Sequence, residues 1–429
     1  MNRRSFLFGA MATTLASSMF GTARPLGVIA YVEIDGLWIR ALPDGEPRNL
    51  VGGPVSFPRF SPSGRWILYT QNEVDYVVSG DGKQVSRIGD DGAVWSPVSD
   101  DLWANNENSE ALELFSARNG WSAPVATIPG ACVGVFSPDG SEMIYTAAGQ
   151  TGTGDDVRQS TRLCRVSLKD AAQPTVLETT TEVWSLCTWS RDSKSIVYWR
   201  QEELSASETS DGNELFLMPA SGGKPRSLGI TTLLDSNFVA LSPARNELAV
   251  TAGDQRWEWF NKRLAVVDLD SFAVRYFMGE DKVGLFPSWS PDGSRIVYCG
   301  GPAPAPEEES DLECGCDEAS QKRLSDLFSQ RRIWVRDRMG AEPPRQITSE
   351  SGYHDEAPLW SADGRSILFT RSDSSFTDIQ ALSSDGKTLW LMDEDGSNLI
   401  RVSGPLRADS DFAAYGRCAF DWFRGHIHS

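Results

Sequence analysis

The sequence predicts an all-β protein built from repeated antiparallel units. A bulky apolar residue followed by Ser-Pro-Asp-Gly, or by a close variant of it, recurs seven times, each time between two short apolar runs. Proline presets φ, aspartate bonds its own backbone and glycine accepts a positive φ, so the motif forms a tight turn between antiparallel strands. The seven copies contain Ser61, Ser96, Ser137, Ser190, Ser242, Ser290 and Ser361.

The spacing of these turns indicates the architecture. Their serines are separated by 35, 41, 53, 52, 48 and 71 residues, a loose period that is typical of propellers and solenoids. Each turn is followed by an apolar strand such as Trp66-Ile67-Leu68-Tyr69-Thr70, then by a loop, a third strand, a polar turn and a fourth strand. Four antiparallel strands in each repeat, with no helix in the pattern, predict the blade of a β-propeller.

The chain ends predict one more blade than the seven turns do. Residues 28–50 contain three strand-like segments with no first strand before them, and Cys418-Ala419-Phe420-Asp421-Trp422 resembles a first strand with no hairpin after it. Pairing of these segments would close the ring and remove a sheet edge. We therefore expect a single propeller of eight four-stranded blades; seven is the alternative, because Val98-Ser99-Asp100 replaces Asp-Gly after Trp95.

The fourth strands add a family resemblance. Pro344-Arg345-Gln346-Ile347-Thr348 and Pro225-Arg226-Ser227-Leu228, together with the recurring turn, resemble the TolB-type, WD40-like β-propeller repeat. The resemblance covers nearly the whole chain after the N-terminal segment and implies the propeller fold. It does not specify an activity, because this repeat serves binding proteins, lyases and peptidase accessory domains.

Residues 1–23 have the composition of an export signal, with an apolar run after Arg3-Arg4 and small residues before position 24. Arg3-Arg4-Ser5-Phe6-Leu7 resembles a twin-arginine signal, although Asn2 and Phe8 depart from the family pattern. The ordinary export route and a retained membrane anchor are the alternatives. We expect residues 24–429 to form the propeller and the protein to be periplasmic or otherwise exported from a bacterium.

Composition limits the classes of partner. The chain has 429 residues, 40% of them apolar, which is enough for a large core. A formal charge of −19, without any clustering of basic and aromatic residues, argues against nucleic-acid binding. No apolar stretch after the signal approaches the roughly 18 residues that a membrane span requires.

Long connections are predicted on one face of the propeller. They join second to third strands, and binding residues are often found on such loops of a rigid scaffold; tolerated surface insertion is the alternative. The largest is rich in proline and acidic residues and ends in a predicted amphipathic helix over residues 318–332, with Leu324, Leu327 and Phe328 on one side. The five connections cover residues 147–162, 200–213, 253–262, 300–331 and 371–387.

Candidate binding residues lie on the same face. A polar run precedes the first strand of one blade, where it should face the central channel, and two tryptophans lie in the connection 253–262. A histidine with only a structural role is the alternative for the polar run. The candidates are His354, Asp355, Glu356, Asp235, Asn237, Trp257 and Trp259.

Metal binding has one weak candidate. Cys314 and Cys316 are one residue apart and could hold a soft metal, but a closed zinc site needs four ligands and no second pair is present. A disulfide is the alternative, and we predict neither a metal nor a cofactor. The polar turn residues on the opposite face are expected to shape turns only: Asp139, Gly140, Asp292, Gly293, Asp363 and Gly364.

These observations favour an exported, non-catalytic scaffold that binds a protein or an envelope component through its loop-rich face. The sequence contains neither Gly-x-Ser-x-Gly nor His-Glu-x-x-His. Two alternatives stay open: a metal-dependent lyase or hydrolase acting in the channel on a saccharide or peptide, and an accessory subunit of a periplasmic redox or secretory assembly. A small-molecule or saccharide ligand also stays open.

Overall fold

Antiparallel strands make up most of the regular structure. The computed structural model describes residues 24–108, 110–132, 134–151, 158–168, 174–201, 211–254, 257, 260–312, 317–373, 386–407 and 419–425. The first ten strands are β1 (Val28–Glu33), β2 (Gly36–Ala41), β3 (Arg48–Gly52), β4 (Ser56–Phe60), β5 (Trp66–Gln71), β6 (Val74–Ser79), β7 (Val85–Trp95), β8 (Asp101–Asn106), β9 (Ala111–Ser116) and β10 (Ala126–Pro129).

The middle of the chain continues with twelve strands and the remainder with nine. The middle strands are β11 (Val135–Phe136), β12 (Glu142–Thr151), β13 (Arg158–Ser167), β14 (Thr175–Thr180), β15 (Val183–Trp189), β16 (Ser195–Gln201), β17 (Asn213–Pro219), β18 (Arg226–Thr232), β19 (Val239–Leu241), β20 (Glu247–Ala252), β21 (Arg263–Asp268) and β22 (Val274–Tyr276). The last are β23 (Lys282–Trp289), β24 (Arg295–Pro302), β25 (Arg332–Asp337), β26 (Arg345–Gln346), β27 (Tyr353–Trp360), β28 (Ser366–Asp373), β29 (Thr388–Asp393), β30 (Ile400–Arg401) and β31 (Phe420–Phe423).

Helices are few in the described residues. Two α-helices, α1 (Glu309–Leu312) and α2 (Glu318–Phe328), lie in the connection between β24 and β25. Three short 3-10 helices occupy Ala117–Asn119, Ser236–Phe238 and Pro306–Glu308.

The strands form a series of sequential antiparallel sheets. In the described part of the chain, five sheets have the orders β11–β14, β15–β18, β19–β22, β23–β26 and β27–β30, a sixth has the order β3-β2-β1-β31, and β4–β10 form one seven-stranded sheet. Apart from the pairing of β31 with β1, neighbours in each of these sheets are neighbours in sequence, which is the strand order of propeller blades. The prediction of an all-β propeller made of four-stranded antiparallel sheets is confirmed at this level.

The C-terminal strand pairs with the N-terminal sheet. β31 lies antiparallel to β1, with the register running from Val28 opposite Phe423 to Tyr31 opposite Phe420. The sequence predicted this strand over residues 418–422; it begins at Phe420, and position 418 lies outside the described residues. The first and last parts of the chain therefore share one sheet.

β7 belongs to two neighbouring groups of strands. Its first part pairs with β6 as far as Asp90, and Val94 and Trp95 pair with β8 after a register shift. Gly92 has φ 104° within this shift, a conformation that favours glycine. One long bent strand thus takes the place of a fourth strand, a connection and the next first strand.

Tryptophans that precede turn serines pack between sheets. Trp189 is 1% exposed, and its indole Nε1 donates to the Val135 carbonyl of the preceding sheet at 2.9 Å. Trp289 donates in the same way to Ala240 at 2.9 Å. Because each acceptor lies two residues before the preceding turn serine, one hydrogen bond recurs between successive sheets.

Several predicted boundaries were wrong. The polar run 354–356, predicted to precede a first strand, is part of β27, and the connections predicted to begin at 300 and 371 begin after Pro302 and Asp373. The connection 147–162 is largely a hairpin extension, since β12 and β13 keep pairing from Ala147 opposite Arg162 to Thr151 opposite Arg158. Continuing the ladder satisfies backbone groups that a loop would leave to water. The helix predicted over residues 318–332 ends at Phe328, because Arg332 already pairs in β25.

Candidate binding face

The two ends of the sheets differ in their connections. The turns between first and second strands lie at one end, which we call the anchor-turn face. Connections from second to third strands and from sheet to sheet lie at the other end, which we call the loop-rich face. The helical insertion, residues 303–331, is part of the loop-rich face.

The helical insertion has a small apolar core of its own. Leu324, Leu327 and Phe328 of α2 are at most 5% exposed and cluster with Leu312 and with Phe260 of the neighbouring connection 253–262. Trp257, from the same connection, packs against this cluster. The insertion is therefore docked on the adjacent connection.

Polar contacts fix the ends of the helices. Asp317 is the N-cap of α2 and accepts from the Ser320 backbone N–H at 2.9 Å. Arg323 on α2 donates twice to Glu308, at 2.9 and 3.1 Å, which ties α2 to the preceding 3-10 turn. These contacts hold the two parts of the insertion together.

Glu356 is the centre of a buried charge cluster on β27. Its side chain is 4% exposed, and its two oxygens lie 2.5 Å from Arg331 Nη1 and 3.0 Å from Lys387 Nζ. Ala357 follows with φ 51° at a bulge in the pairing of β27 with β28, a feature that re-aims neighbouring side chains. Burial raises the pKa of Glu356, but Lys387 and Arg331 outweigh burial, so the pKa lies below its usual range.

His354 is buried beside this cluster. It is 1% exposed, and in the part of the chain that the structure describes its Nδ1 has no hydrogen-bond partner. Burial lowers the pKa of His354 to about 4, helped by the positive charges of Lys387 and Arg331 and opposed by Glu356. The imidazole is therefore neutral at pH 7.

Asp355 forms a second buried ion pair, with Arg371. It is fully buried, and its two oxygens accept from Arg371 Nε at 2.6 Å and from Nη2 at 3.1 Å. Arg371 also pairs with Glu350 and lies 4.9 Å from the centre of the Tyr353 ring. The carboxylate thus serves as the counter-ion of a buried guanidinium.

The other sequence candidates lie elsewhere. Asp235 caps the 3-10 helix Ser236–Phe238 and accepts from the Asn237 backbone N–H at 2.7 Å. The next residue, Phe238, stacks on Phe286 of β23 at a ring distance of 5.4 Å. Trp259, Cys314 and Cys316 lie outside the described residues.

A cavity of about 790 Å³ opens on the loop-rich face. Its walls come from the β5–β6 turn, the bend of β7, the β8–β9 connection and the link from β10 to β11. Four carboxylate residues line it: Glu73, Asp90, Glu107 and Glu110. A second cavity of about 460 Å³, lined by Tyr298, Trp334 and neighbouring residues, lies beside the helical insertion.

The three turns with the full Asp-Gly sequence form the same serine-to-aspartate bond. Ser137, Ser290 and Ser361 donate through Oγ to Oδ1 of Asp139, Asp292 and Asp363, at 2.6, 2.6 and 2.7 Å. Gly140, Gly293 and Gly364 have φ between 66° and 67°. The Ser290 hydroxyl and the Ser294 N–H lower the pKa of Asp292 to about 2.

Sequence reasoning missed several residues of the loop-rich face. The basic residues Arg331, Arg371 and Lys387 lie at the ends of the two longest predicted connections. The sequence contained a clue to their role, because these two connections lie on either side of the strand that carries the acidic residues 355 and 356. The cavity carboxylates gave no such signal, since they come from three separate short segments.

Two searches of the described residues were negative. No group of three or more His, Cys, Asp or Glu side chains lies close enough to hold a metal ion there. None of the helices in that part of the chain has the length and apolar character to cross a membrane.

Comparison with known proteins defines the fold class. No protein-family model and no curated protein matches the chain. The structure is similar to dihydro-heme d1 dehydrogenase NirN in complex with DHE, with 14% identity, 90% of this chain and 75% of that chain covered and a TM-score of 0.54. It is also similar to a eukaryotic initiation factor, with 11% identity, 90% and 98% coverage and a TM-score of 0.50.

A third similar structure is TolB from Acinetobacter baumannii, with 14% identity, 78% and 66% coverage and a TM-score of 0.36. At such identities these likenesses bear on fold alone. Strand order and the NirN likeness together support assignment of the chain to the β-propeller proteins.

Proposed function

We propose that this protein is an exported, non-catalytic binding scaffold whose loop-rich face holds a basic segment of a partner protein. The observation that carries the proposal is the cavity of about 790 Å³ formed on that face by connections of the seven-stranded sheet and by the link from β10 to β11. Its volume is in the range of ligand sites, roughly 300–1,000 Å³. Carboxylates along its wall complement basic side chains, which gives orientation and faster association.

The rigidity of the face supports this role. The helical insertion is docked through Leu324 and Phe328 on a neighbouring connection, so one large part of the face is ordered before any partner arrives. A preorganised surface loses less conformational entropy on binding.

The use of the acids near His354 favours binding over catalysis. Asp355 and Glu356 are each bound to basic side chains at 2.5–3.1 Å. A general acid or base must be able to exchange a proton with a substrate. Carboxylates already serving as counter-ions of buried cations are poorly suited to that task.

Charge reversal in the cavity tests the proposal. Glu107 and Glu110 are exposed, and we expect the double variant Glu107→Lys, Glu110→Lys to lose recovery of cross-linked partners from envelope extract. The matched control, Asp44→Lys with Glu46→Lys, makes the same charge change at exposed positions of the opposite face. Equal recovery with both variants, or recovery insensitive to salt, would contradict the proposal.

The proposal includes a ring of eight blades. If the two halves of β7 are counted separately, the seven-stranded sheet corresponds to two four-stranded blades. The pairing of β31 with β1 supports closure of the ring between the two ends of the chain. Electron microscopy of the particle viewed along its axis counts the blades; seven would contradict this part.

Export is the last part of the proposal. The apolar segment and the paired arginines of residues 1–23 support a cleaved signal, with the twin-arginine route preferred. We expect Arg3→Lys with Arg4→Lys to retain the protein in the cytoplasm, whereas normal export of that variant would rule out this route.

A further inference from the structure

The C-terminal end of the helical insertion is fastened to β27 at three points. Arg331 pairs with Glu356 at 2.5 Å, and both side chains are at most 4% exposed. The Asp355 backbone N–H donates to the Arg331 carbonyl at 3.2 Å, and Arg332 Nη1 donates to the Tyr353 carbonyl at 2.8 Å. Since Arg331 lies three residues after the end of α2, these contacts add to the apolar cluster that holds α2 in place.

Arg331 also reaches the helix itself. Its guanidinium carbon lies 3.7 Å from the centre of the Phe328 ring, and Phe328 is the last residue of α2. A change at Glu356 is thus passed to α2 through a single side chain.

Lys387 binds the other oxygen of the same carboxylate. Its Nζ lies 3.0 Å from Glu356 Oε2, and Lys387 directly precedes β29. One buried carboxylate is therefore the shared counter-ion of two cations that come from separate connections, which leaves the three groups with a net positive charge. Such a site tolerates further positive charge poorly, because burial weakens solvent screening.

His354 is the group that would add that charge. On β27 it neighbours Glu356. The charges of Arg331 and Lys387 from the adjacent connections, and of Arg332 at the start of β25, also act on it. Across the ladder it faces Ser372 of β28. A protonated imidazole donates from both nitrogens, whereas Nδ1 has no acceptor among the described residues.

We propose that His354 and Glu356 form a proton-sensitive latch, in which protonation of the imidazole releases the C-terminal end of the helical insertion from β27. The loop-rich face is then ordered at neutral pH and loosened in acid. This inference goes beyond the proposed binding role and needs no partner.

Hydrogen exchange of the full chain tests the latch. Exchange of peptides covering α2 is measured by mass spectrometry near pH 7.5 and pH 5 and corrected for intrinsic rates. A histidine with a pKa of 6.5 when released and about 4 when latched predicts a roughly 30-fold loss of α2 protection at the lower pH. Peptides from β15–β18 should not change.

His354→Asn should abolish this pH response, and His354→Gln repeats the test should the first variant not fold. Glu356→Gln should raise α2 exchange at both pH values, because Arg331 and Lys387 lose their counter-ion. The matched control is Glu394→Gln, which removes the partner of Arg295 on the anchor-turn face. A pH response that survives in the His354 variants, or equal α2 exchange in the two Glu variants, overturns the latch.

Discussion

The anchor-turn face and the loop-rich face are formed by opposite ends of the same strands but are stabilised differently. At the anchor turns the polar contact that recurs joins residues two apart, as in Ser190 and Asp192 with Oγ to Oδ1 at 2.8 Å, although single long-range pairs such as Arg295 with Glu394 also lie on this face. On the loop-rich face the contacts join distant residues, such as Arg331 and Glu356, and bury their charges. Local bonds recur with the repeat, whereas each distant pair occurs once.

The recurring local hydrogen bonds maintain the repeated fold, whereas the single long-range ion pairs are specific to this protein. A turn whose polar groups form hydrogen bonds within the turn can recur in every repeat, because it does not depend on the residues of neighbouring repeats. A buried ion pair depends on both partners, because removing one leaves an uncompensated charge. Substitutions on the two faces should therefore differ in cost, and the following variants measure that difference.

The largest effect is expected from Arg371→Met. The variant leaves the fully buried Asp355 without its guanidinium, which now donates at 2.6 and 3.1 Å. We expect the free energy of unfolding to fall by about 3–5 kcal/mol, measured by urea denaturation followed by tryptophan fluorescence. The anchor-turn comparison is Arg65→Met, whose side chain is 66% exposed and pairs with Asp100 at 3.3 Å.

Arg65→Met should cost at most about 1 kcal/mol, because its guanidinium is largely in solvent and, although Asp100 is only 8% exposed, that carboxylate keeps another hydrogen-bond donor. Ser63 continues to donate to Asp100 in that variant, at 2.7 Å. Equal losses for the two arginine variants would show that burial does not distinguish the faces.

The fold was predictable because its signals are local and repeated. Trp289-Ser290-Pro291-Asp292-Gly293 specifies turn, strand boundary and inter-sheet aromatic within five residues, and similar runs recur along the chain. The pairing of β31 with β1 was also predictable, because the N-terminal strands lacked a first strand and the C-terminal segment was a first strand without partners. The bend of β7 was not predictable, because a register shift depends on the neighbouring strands.

The candidate site was less accessible to sequence reasoning. The run 354–356 was noticed, but its burial and its pairing with Arg331, Arg371 and Lys387 depend on how connections from two sheets meet. The cavity lining comes from separate segments spread between residues 72 and 148. Polarity marks such residues as candidates, and only the fold shows which of them meet.

A medium effect is expected from Gly293→Ala. Gly293 has φ 67°, and an added Cβ would lie 2.7 Å from Ala244 Cβ and 3.2 Å from Ser242 Oγ. The left-handed backbone alone costs a residue with a Cβ roughly 1–2 kcal/mol, so a loss of at least that size should appear in urea denaturation. Gly52→Ala is the matched control, because nothing lies within 4 Å of its added Cβ and its φ is not left-handed. A control as destabilised as Gly293→Ala would contradict the turn argument.

The smallest effect is expected from Asp292→Asn. The Ser290 hydroxyl, at 2.6 Å, and the Ser294 N–H, at 3.0 Å, hold the pKa of Asp292 near 2, below its value in the unfolded chain. The carboxylate therefore contributes stability above about pH 4, and that contribution is lost as the pH falls towards 2. At pH 7 we expect the amide to cost about 1 kcal/mol, the size of a typical hydrogen bond.

The difference between wild type and Asp292→Asn should vanish near pH 2, which urea denaturation across the acid range can follow. His354 titrates in a separate window, since its folded pKa of about 4 lies below the ordinary 6.5 and stability is lost as the pH falls between those values. His354→Asn should flatten the upper window and leave the lower one unchanged, and Asp292→Asn should do the reverse. Loss of both windows in either variant would mean that the two faces are coupled rather than independently stabilised.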